Sequence, residues 1–175
     1  MDTQLNNDSI HRHVSEIDWD HWIPKERAVL CFIQNGDQLM LIHKKTGLGK
    51  GKVNAPGGRI EPGESPVEAA IRETTEEIGL VPANLQKRGE LFFIFTDGYS
   101  LHATVFFSTK FTGTLVETIE AAPFWCTIKD IPYKSMWEDD LHWLPLALAG
   151  NHFRAYFIFD NDAMLSFSID LIDQF

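Results

Sequence analysis

Short apolar runs separated by turn residues dominate the chain. Ala28–Ile33 and Leu39–Ile42 flank Asn35-Gly36, so the pattern predicts a β-hairpin. Leu91–Phe95, Leu101–Phe107 and Phe124–Thr127 predict further strands, with turns at Asp97-Gly98 and Thr112-Gly113. Phe153–Phe159 and Leu165–Leu171 predict two more, one on each side of Asn161-Asp162. Residues 46–63 read as loop, with glycines at 47, 49, 51, 57, 58 and 63. A short helix is predicted from Glu138 to Ala149, ended by Gly150. Many strands and few helices imply a mixed sheet with helices packed on it, in a single α/β domain.

The best-defined element is a helix opening at Ser65-Pro66-Val67-Glu68. Ser65 can cap it and Glu68 completes a capping box. Pro66 suits the first helical position, and Gly79 suits the left-handed end. Val67, Ala70, Ile71, Thr74 and Ile78 recur at helical steps and predict the buried face. Glu73, Glu76 and Glu77 lie three and four residues apart, which predicts three carboxylates on the opposite face. Like charges at that spacing destabilise a helix by a few tenths of a kcal/mol per pair, and Arg72 relieves only part of this. A hard divalent cation would relieve the rest, with a solvated acidic surface as the alternative.

Composition narrows the function classes. With 175 residues, 44% of them hydrophobic, the chain can fold without a disulfide or metal staple. The net charge of −10 argues against nucleic-acid polymers and anionic membranes as partners. A polyanionic substrate such as a nucleotide would then need divalent cations. No run approaches the ~20 apolar residues of a membrane span, and the polar start does not read as a signal peptide. Cys31 and Cys126 both sit in apolar runs, which predicts reduced thiols and a cytoplasmic location. Residues 1–25 read as an N-terminal extension to a domain spanning 26–175. Trp19 and Trp22 are candidates to dock on the body, His11-Arg12-His13 is expected to be solvated, and the extension could cover a pocket.

The segment GGRIEPGESPVEAAIRETTEEIGL, residues 57–80, resembles the Nudix box. The matching positions are Gly58, Glu64, Arg72, Glu73, Glu76, Glu77, Gly79 and Leu80, while Thr74 stands where an aliphatic residue is usual. The resemblance implies an α/β/α sandwich around a mixed sheet and hydrolysis of a nucleoside diphosphate linked to another group. It implies that Glu73, Glu76 and Glu77, with the carbonyl of Gly57, hold Mg2+ or Mn2+, that Arg72 orients the glutamates, and that Glu64 supports the loop or the metal shell. Metal ions would neutralise the phosphates and activate water.

Residues 27–175 also resemble the animal-type MutT homologues, which hydrolyse oxidised purine nucleoside triphosphates such as 8-oxo-dGTP to the monophosphate and pyrophosphate, sanitising the nucleotide pool. The most specific stretch is IPYKSMWEDDLHWLP followed by FRAYFIF. The resemblance implies that Trp137, Asp139, Asp140 and Asn54 read the base, that Lys44 lies near the phosphates, and that Glu120 binds metal or activates water. Phe93, Phe95, Trp143 and Phe159 would line the pocket. An indole offers a stacking face and paired carboxylates accept purine N–H groups. Ala28, Leu48, Ala121 and Glu138 depart from that family's pattern at positions touching the base. Another nucleoside diphosphate derivative (dGTP, a nucleotide sugar or a dinucleoside polyphosphate) is the rival substrate, and a non-catalytic nucleotide sensor the rival class. A monomer is expected, with a dimer as the alternative.

Overall fold

The computed structural model describes residues 10–175. The elements run β1 (Glu26–Asn35), β2 (Gln38–Lys44), β3 (Val53–Asn54), β4 (Gly57–Arg59), α1 (Pro66–Ile78), β5 (Leu80–Ala83), β6 (Gln86–Phe95), β7 (Ser100–Ser108), β8 (Lys110–Gly113), β9 (Ala121–Thr127), α2 (Asp140–Leu148), β10 (His152–Asp160) and β11 (Ala163–Ile172). The main sheet has the order β11-β10-β6-β7-β1-β2-β3, with β4 added to β1 and β9 to β2. It is mixed: β1 lies parallel to β7 and β6 parallel to β10, whereas the hairpin pairs are antiparallel. β5 and β8 form a separate two-stranded sheet.

The division of β1 between two partners opens the functional cleft. Ala28, Val29 and Leu30 pair with β4, but only Gln34 and Asn35 pair with β2. Strands β2, β3 and β9 therefore splay away from the start of β1, and the loops between them face a gap.

Side chains alternate across a strand, so β1 feeds both faces of the sheet. Val29 and Cys31 pack with Ala69 and Ala70 of α1 and with Phe106. Ala28 and Phe32 join Trp143, Leu144 and Ala147 of α2 in the largest core, with Phe107, Phe153 and Phe157. The two helices thus cover opposite faces, an α/β/α arrangement. Neither is long and apolar enough to cross a membrane.

Arg12 and His13 are exposed, as expected of a solvated tract, but the segment around and after them packs on the body. His13 caps a 3-10 turn at Val14–Glu16, and the Val14 N–H donates to Ser166 Oγ at 3.1 Å. The rings of Trp19 and Trp22 lie 6.2 and 5.9 Å from Phe92, and Trp19 lies 4.9 Å from Tyr156. Phe92 points away from the face that carries Leu91, Phe93 and Phe95. From residue 10 onward the extension therefore lies behind the sheet and does not cover the cleft, because its aromatic rings find an apolar patch that α1 leaves open.

Candidate active site

A cleft of about 550 Å3 runs between the splayed strands and the segment before α2. One end is built on α1. The capping box forms as expected: Ser65 Oγ accepts from the Glu68 N–H at 3.2 Å, and Glu68 Oε2 accepts from the Ser65 N–H at 2.8 Å. Gly79, at φ 78°, closes the helix. Thr74 is buried, and its hydroxyl donates to the Ala70 carbonyl at 2.7 Å, so a polar residue is accommodated where an aliphatic one is usual.

The faces of α1 differ from the sequence expectation in two ways. Val67 is exposed, while Ala69 and Glu77 join the buried set. The three glutamates also do not share one environment. Glu77 is buried and Glu73 nearly so, but the Glu76 side chain is 57% exposed, bonded to Arg72 at 3.3 Å and outside the cleft. The reason is tertiary: α1 is flanked by β4 as well as β1 and also touches β9, so its acidic side is half covered. Gly58 sits directly under Glu73, where an added Cβ would come within 2.6 Å of all three carboxyl atoms. Arg72 donates to both oxygens of Glu64, at 2.6 and 2.9 Å, to Glu73 and to the Arg59 carbonyl. It ties the loop to the helix and lies outside the cleft itself.

Glu73, Glu77, Glu120, Lys44 and the backbone of Gly57 line this end. Among the described residues no three acidic, histidine or cysteine side chains stand ready as a metal cage. The donor chemistry nevertheless suits a hard cation. Burial pushes the Glu77 carboxyl up to about 7, with Lys44 opposing and Glu73 and Glu120 reinforcing the rise. Burial also raises Glu73. Clustered oxygens short of positive charge are what a divalent cation satisfies.

The other end is lined by aromatic rings and by acids of a different kind. Trp137 stands edge-on to Phe95 at 6.1 Å and to Phe159 at 5.5 Å, with Lys52 Nζ over its ring at 4.9 Å. Phe93, Leu101 and Ala103 add apolar wall. Asp139 and Asp140 are each 2% exposed. Asp139 Oδ2 accepts from Trp143 Nε1 at 2.8 Å, while Asp139 Oδ1 and Asp140 Oδ2 have no partner among the described residues. Burial pushes Asp139 up to about 6. Burial and then the Asp139 charge push Asp140 well above the carboxylate range. Asn54 Oδ1 accepts from the Ala55 N–H at 2.8 Å, which leaves its NH2 to donate.

Trp143, expected in the pocket wall, is instead fully buried in the core and absent from the cleft. Its place in the second turn of α2 turns the indole N–H towards Asp139. Phe159 is likewise core, backing Trp137. Helix α2 begins at Asp140, not Glu138, because the Asp140 N–H bonds the Trp137 carbonyl in a turn and Glu138 reaches the Met164 N–H at 3.2 Å. Sequence reasoning missed Leu101, Ala103, Lys52, Tyr99, Arg59 and Glu26. The alternation along β7 carried the signal for the first two.

The NUDIX domain family matches residues 24–147. The chain belongs to the Nudix family. It is 35% identical to the oxidized purine nucleoside triphosphate hydrolase of Mus musculus over 148 residues, covering 83% of this chain and 95% of that protein. It is 34% identical to the protein of the same name from Danio rerio, covering 84% and 95%. Among solved structures, a mutator MutT protein from Bacillus halodurans superposes with a TM-score of 0.75 at 25% identity, covering 83% of this chain and 97% of that one. This Nudix domain thus carries its box on α1, and the sheet continues past the matched residues through β10 and β11.

Proposed function

We propose that this Nudix enzyme hydrolyses oxidised purine nucleoside triphosphates such as 8-oxo-dGTP to the nucleoside monophosphate and pyrophosphate, and so cleans the nucleotide pool. The observation that carries the reading is one cleft with two opposite ends: an aromatic slot with two buried aspartates bearing unpartnered oxygens, and an acidic end on the Nudix helix. A purine fits the first and phosphates bridged by cations the second. The mouse and zebrafish relatives, which span nearly the same length, are named for that activity.

In this scheme Trp137 stacks on the base, and Phe93 and Phe95 exclude water from it. Asn54 donates to an acceptor on the purine edge. The aspartate pair takes N–H groups, and its protonated member donates to a ring oxygen or nitrogen. Glu73, Glu77 and Glu120, with the Gly57 carbonyl, would hold Mg2+, for which Mn2+ could substitute. Glu76, now bonded to Arg72, would be the further carboxylate available to it. The cation supplies charge neutralisation and a more acidic water. Lys44 faces the phosphates, and Arg72 with Glu64 fixes the loop that presents Gly57 and Gly58. Trp143 positions Asp139 and touches no substrate. Burial pushes the Cys31 thiol up to about 11, which suits an inert thiol in the cytoplasm.

The test is pyrophosphate release from dGTP, 8-oxo-dGTP, 2-oxo-dATP, ADP-ribose and diadenosine polyphosphates, each with Mg2+ and with Mn2+. The oxidised purine triphosphates should lead in kcat/KM. A panel led by ADP-ribose or a dinucleoside polyphosphate would overturn the substrate, and no turnover of any member would overturn the activity.

A further inference from the structure

One polar group in the middle of the cleft has no role in this scheme. Glu26 opens β1, on the same strand face as Ala28, and 25% of its side chain is exposed. Tyr99 Oη donates to Glu26 Oε2 at 2.5 Å, and Arg59 Nε stands 3.0 Å from the same oxygen. Glu26 Oε1 has no hydrogen-bond partner among the described residues. All three side chains line the cleft.

The trio spans the two ends. The Tyr99 ring lies 5.6 Å from Phe95, which itself meets Trp137, and the Tyr99 N–H is fixed by Asp97 Oδ1 at 2.9 Å. Arg59 follows Gly57 and Gly58 on β4, and its carbonyl accepts from Arg72 at 3.0 Å. Burial and the adjacent Glu26 charge hold the Tyr99 phenol well above its ordinary range, so it remains a donor. The Arg59 guanidinium offsets the Glu26 charge, which would otherwise repel a polyphosphate.

Given that the cleft takes a nucleotide, we infer that Glu26 reads the pentose, its free Oε1 accepting the 3′-hydroxyl. With the base in the aromatic slot and the phosphates at α1, the pentose lies between them, beside this wall. A carboxylate can only accept, so it selects a donor. Because Tyr99 and Arg59 both occupy Oε2, one oxygen faces the sugar and reads one hydroxyl. In a deoxyribonucleotide the 3′-hydroxyl is the only ring hydroxyl present. Ribo- and deoxyribonucleotides therefore pass alike, and 3′-deoxy analogues are rejected.

The test compares 8-oxo-dGTP with its 2′,3′-dideoxy analogue in kcat/KM at fixed Mg2+, and the two corresponding monophosphates in metal-free binding followed by tryptophan fluorescence. The parent should prefer the 3′-hydroxyl on the order of tenfold, chiefly through KM. In Glu26→Gln the single amide oxygen stays with the two donors and turns the NH2 to the sugar, so the preference should fall towards one in catalysis and in binding. Tyr99→Phe, which frees the carboxylate to move, should give an intermediate ratio. A merely structural role would weaken both analogues equally and leave the ratio unchanged. A parent ratio near one overturns the inference, as does an unchanged ratio in folded Glu26→Gln. If circular dichroism shows that variant unfolded, an unchanged ratio in Tyr99→Phe does the same. Failure to hydrolyse any purine nucleoside triphosphate would instead overturn the functional reading beneath it.

Discussion

Two sets of buried acids stand at opposite ends of one cleft, and burial raises both. Their surroundings make them different tools. Glu73 and Glu77 lie in the second half of α1, Glu77 in its last turn, with Arg72 bonded to Glu73 and Lys44 acting on Glu77. Asp139 and Asp140 lie at the start of α2, where the side chain that donates to Asp139 is a neutral indole. On the proposed function Glu77 would give up its proton in exchange for a bound cation. The aspartate pair is poised to keep one. The lesson is that desolvation alone does not assign a role: the neighbouring cations and donors decide whether a raised carboxyl becomes a metal ligand or a hydrogen-bond donor.

The glutamate end should give the largest effect. Glu77→Gln would remove one of the proposed metal donors, and turnover should fall by a factor on the order of 10² or more. The fold should survive. A carboxyl raised to about 7 in the folded state contributes stability that is lost as pH rises through 7. The neutral amide has no such loss, so metal-free Tm at pH 8 should not drop below the parent's. Kinetics and thermal unfolding check both. Near-parental turnover in a folded variant would break the distinction between the two ends.

Next come the groups that would face the base. Asn54→Ala and Asp139→Ala each remove one buried partner, which typically costs ~1–3 kcal/mol. Relative kcat/KM among the purine triphosphates should shift on the order of tenfold, with the response to Mg2+ unchanged. If both variants keep the parent's ranking of the substrate panel, base selection lies elsewhere in the cleft.

Trp143→Phe should act more weakly and by a different route. It retains an aromatic ring in the core but deletes the indole N–H that Asp139 Oδ2 accepts. That bond holds the Asp139 pKa down, so its loss should push the pair's titration upward. The pH profile of kcat/KM for 8-oxo-dGTP should move to higher pH. An unmoved profile in a folded variant would deny Trp143 its positioning role.

The two ends were unequally legible before the fold was known. The helix face of the acidic end lies within one contiguous motif, so capping, termination and the glutamate spacing were readable by local rules. The burial of Glu77 was not, because it depends on how β4, too short to read in sequence, and β9, from a distant part of the chain, close over α1. Strands as short as Val53–Asn54 and Gly57–Arg59 show no period to read, and both fell inside an expected loop. At the base end the resemblance named Trp137, Asp139, Asp140 and Asn54, but could not separate a wall residue from its support. Trp143 and Phe159 are aromatic in sequence like Phe93 and Phe95, and only packing shows that the former pair backs the site while the latter faces it. The N-terminal tryptophans were recognised as docking groups, yet the face they choose follows from the sheet, not from their own segment.

The smallest expected effect sharpens the comparison most. Asp139 rises to about 6 and Asp140 further, so their titration belongs to the pair. A raised acid contributes stability that is complete below its unfolded value and lost as pH climbs through the folded one. The metal-free protein should therefore lose stability on account of this pair as pH climbs from the ordinary carboxylate range of about 4 through 6 and beyond, and Asp140→Asn, which holds one partner neutral, should lose less. In the proposed function the same proton would serve recognition. Below the pair's titration one acid can donate to a purine acceptor, and above it both are acceptors only. The ratio of kcat/KM for 8-oxo-dGTP to that for 2-oxo-dATP should then drift with pH in the parent, at fixed free Mg2+, and flatten in Asp140→Asn. The change is modest, because Asn54 and the aromatic walls hold either base. A constant ratio in the parent would leave the aspartates as plain acceptors and remove the contrast with Glu77, even in an active oxidised-purine hydrolase.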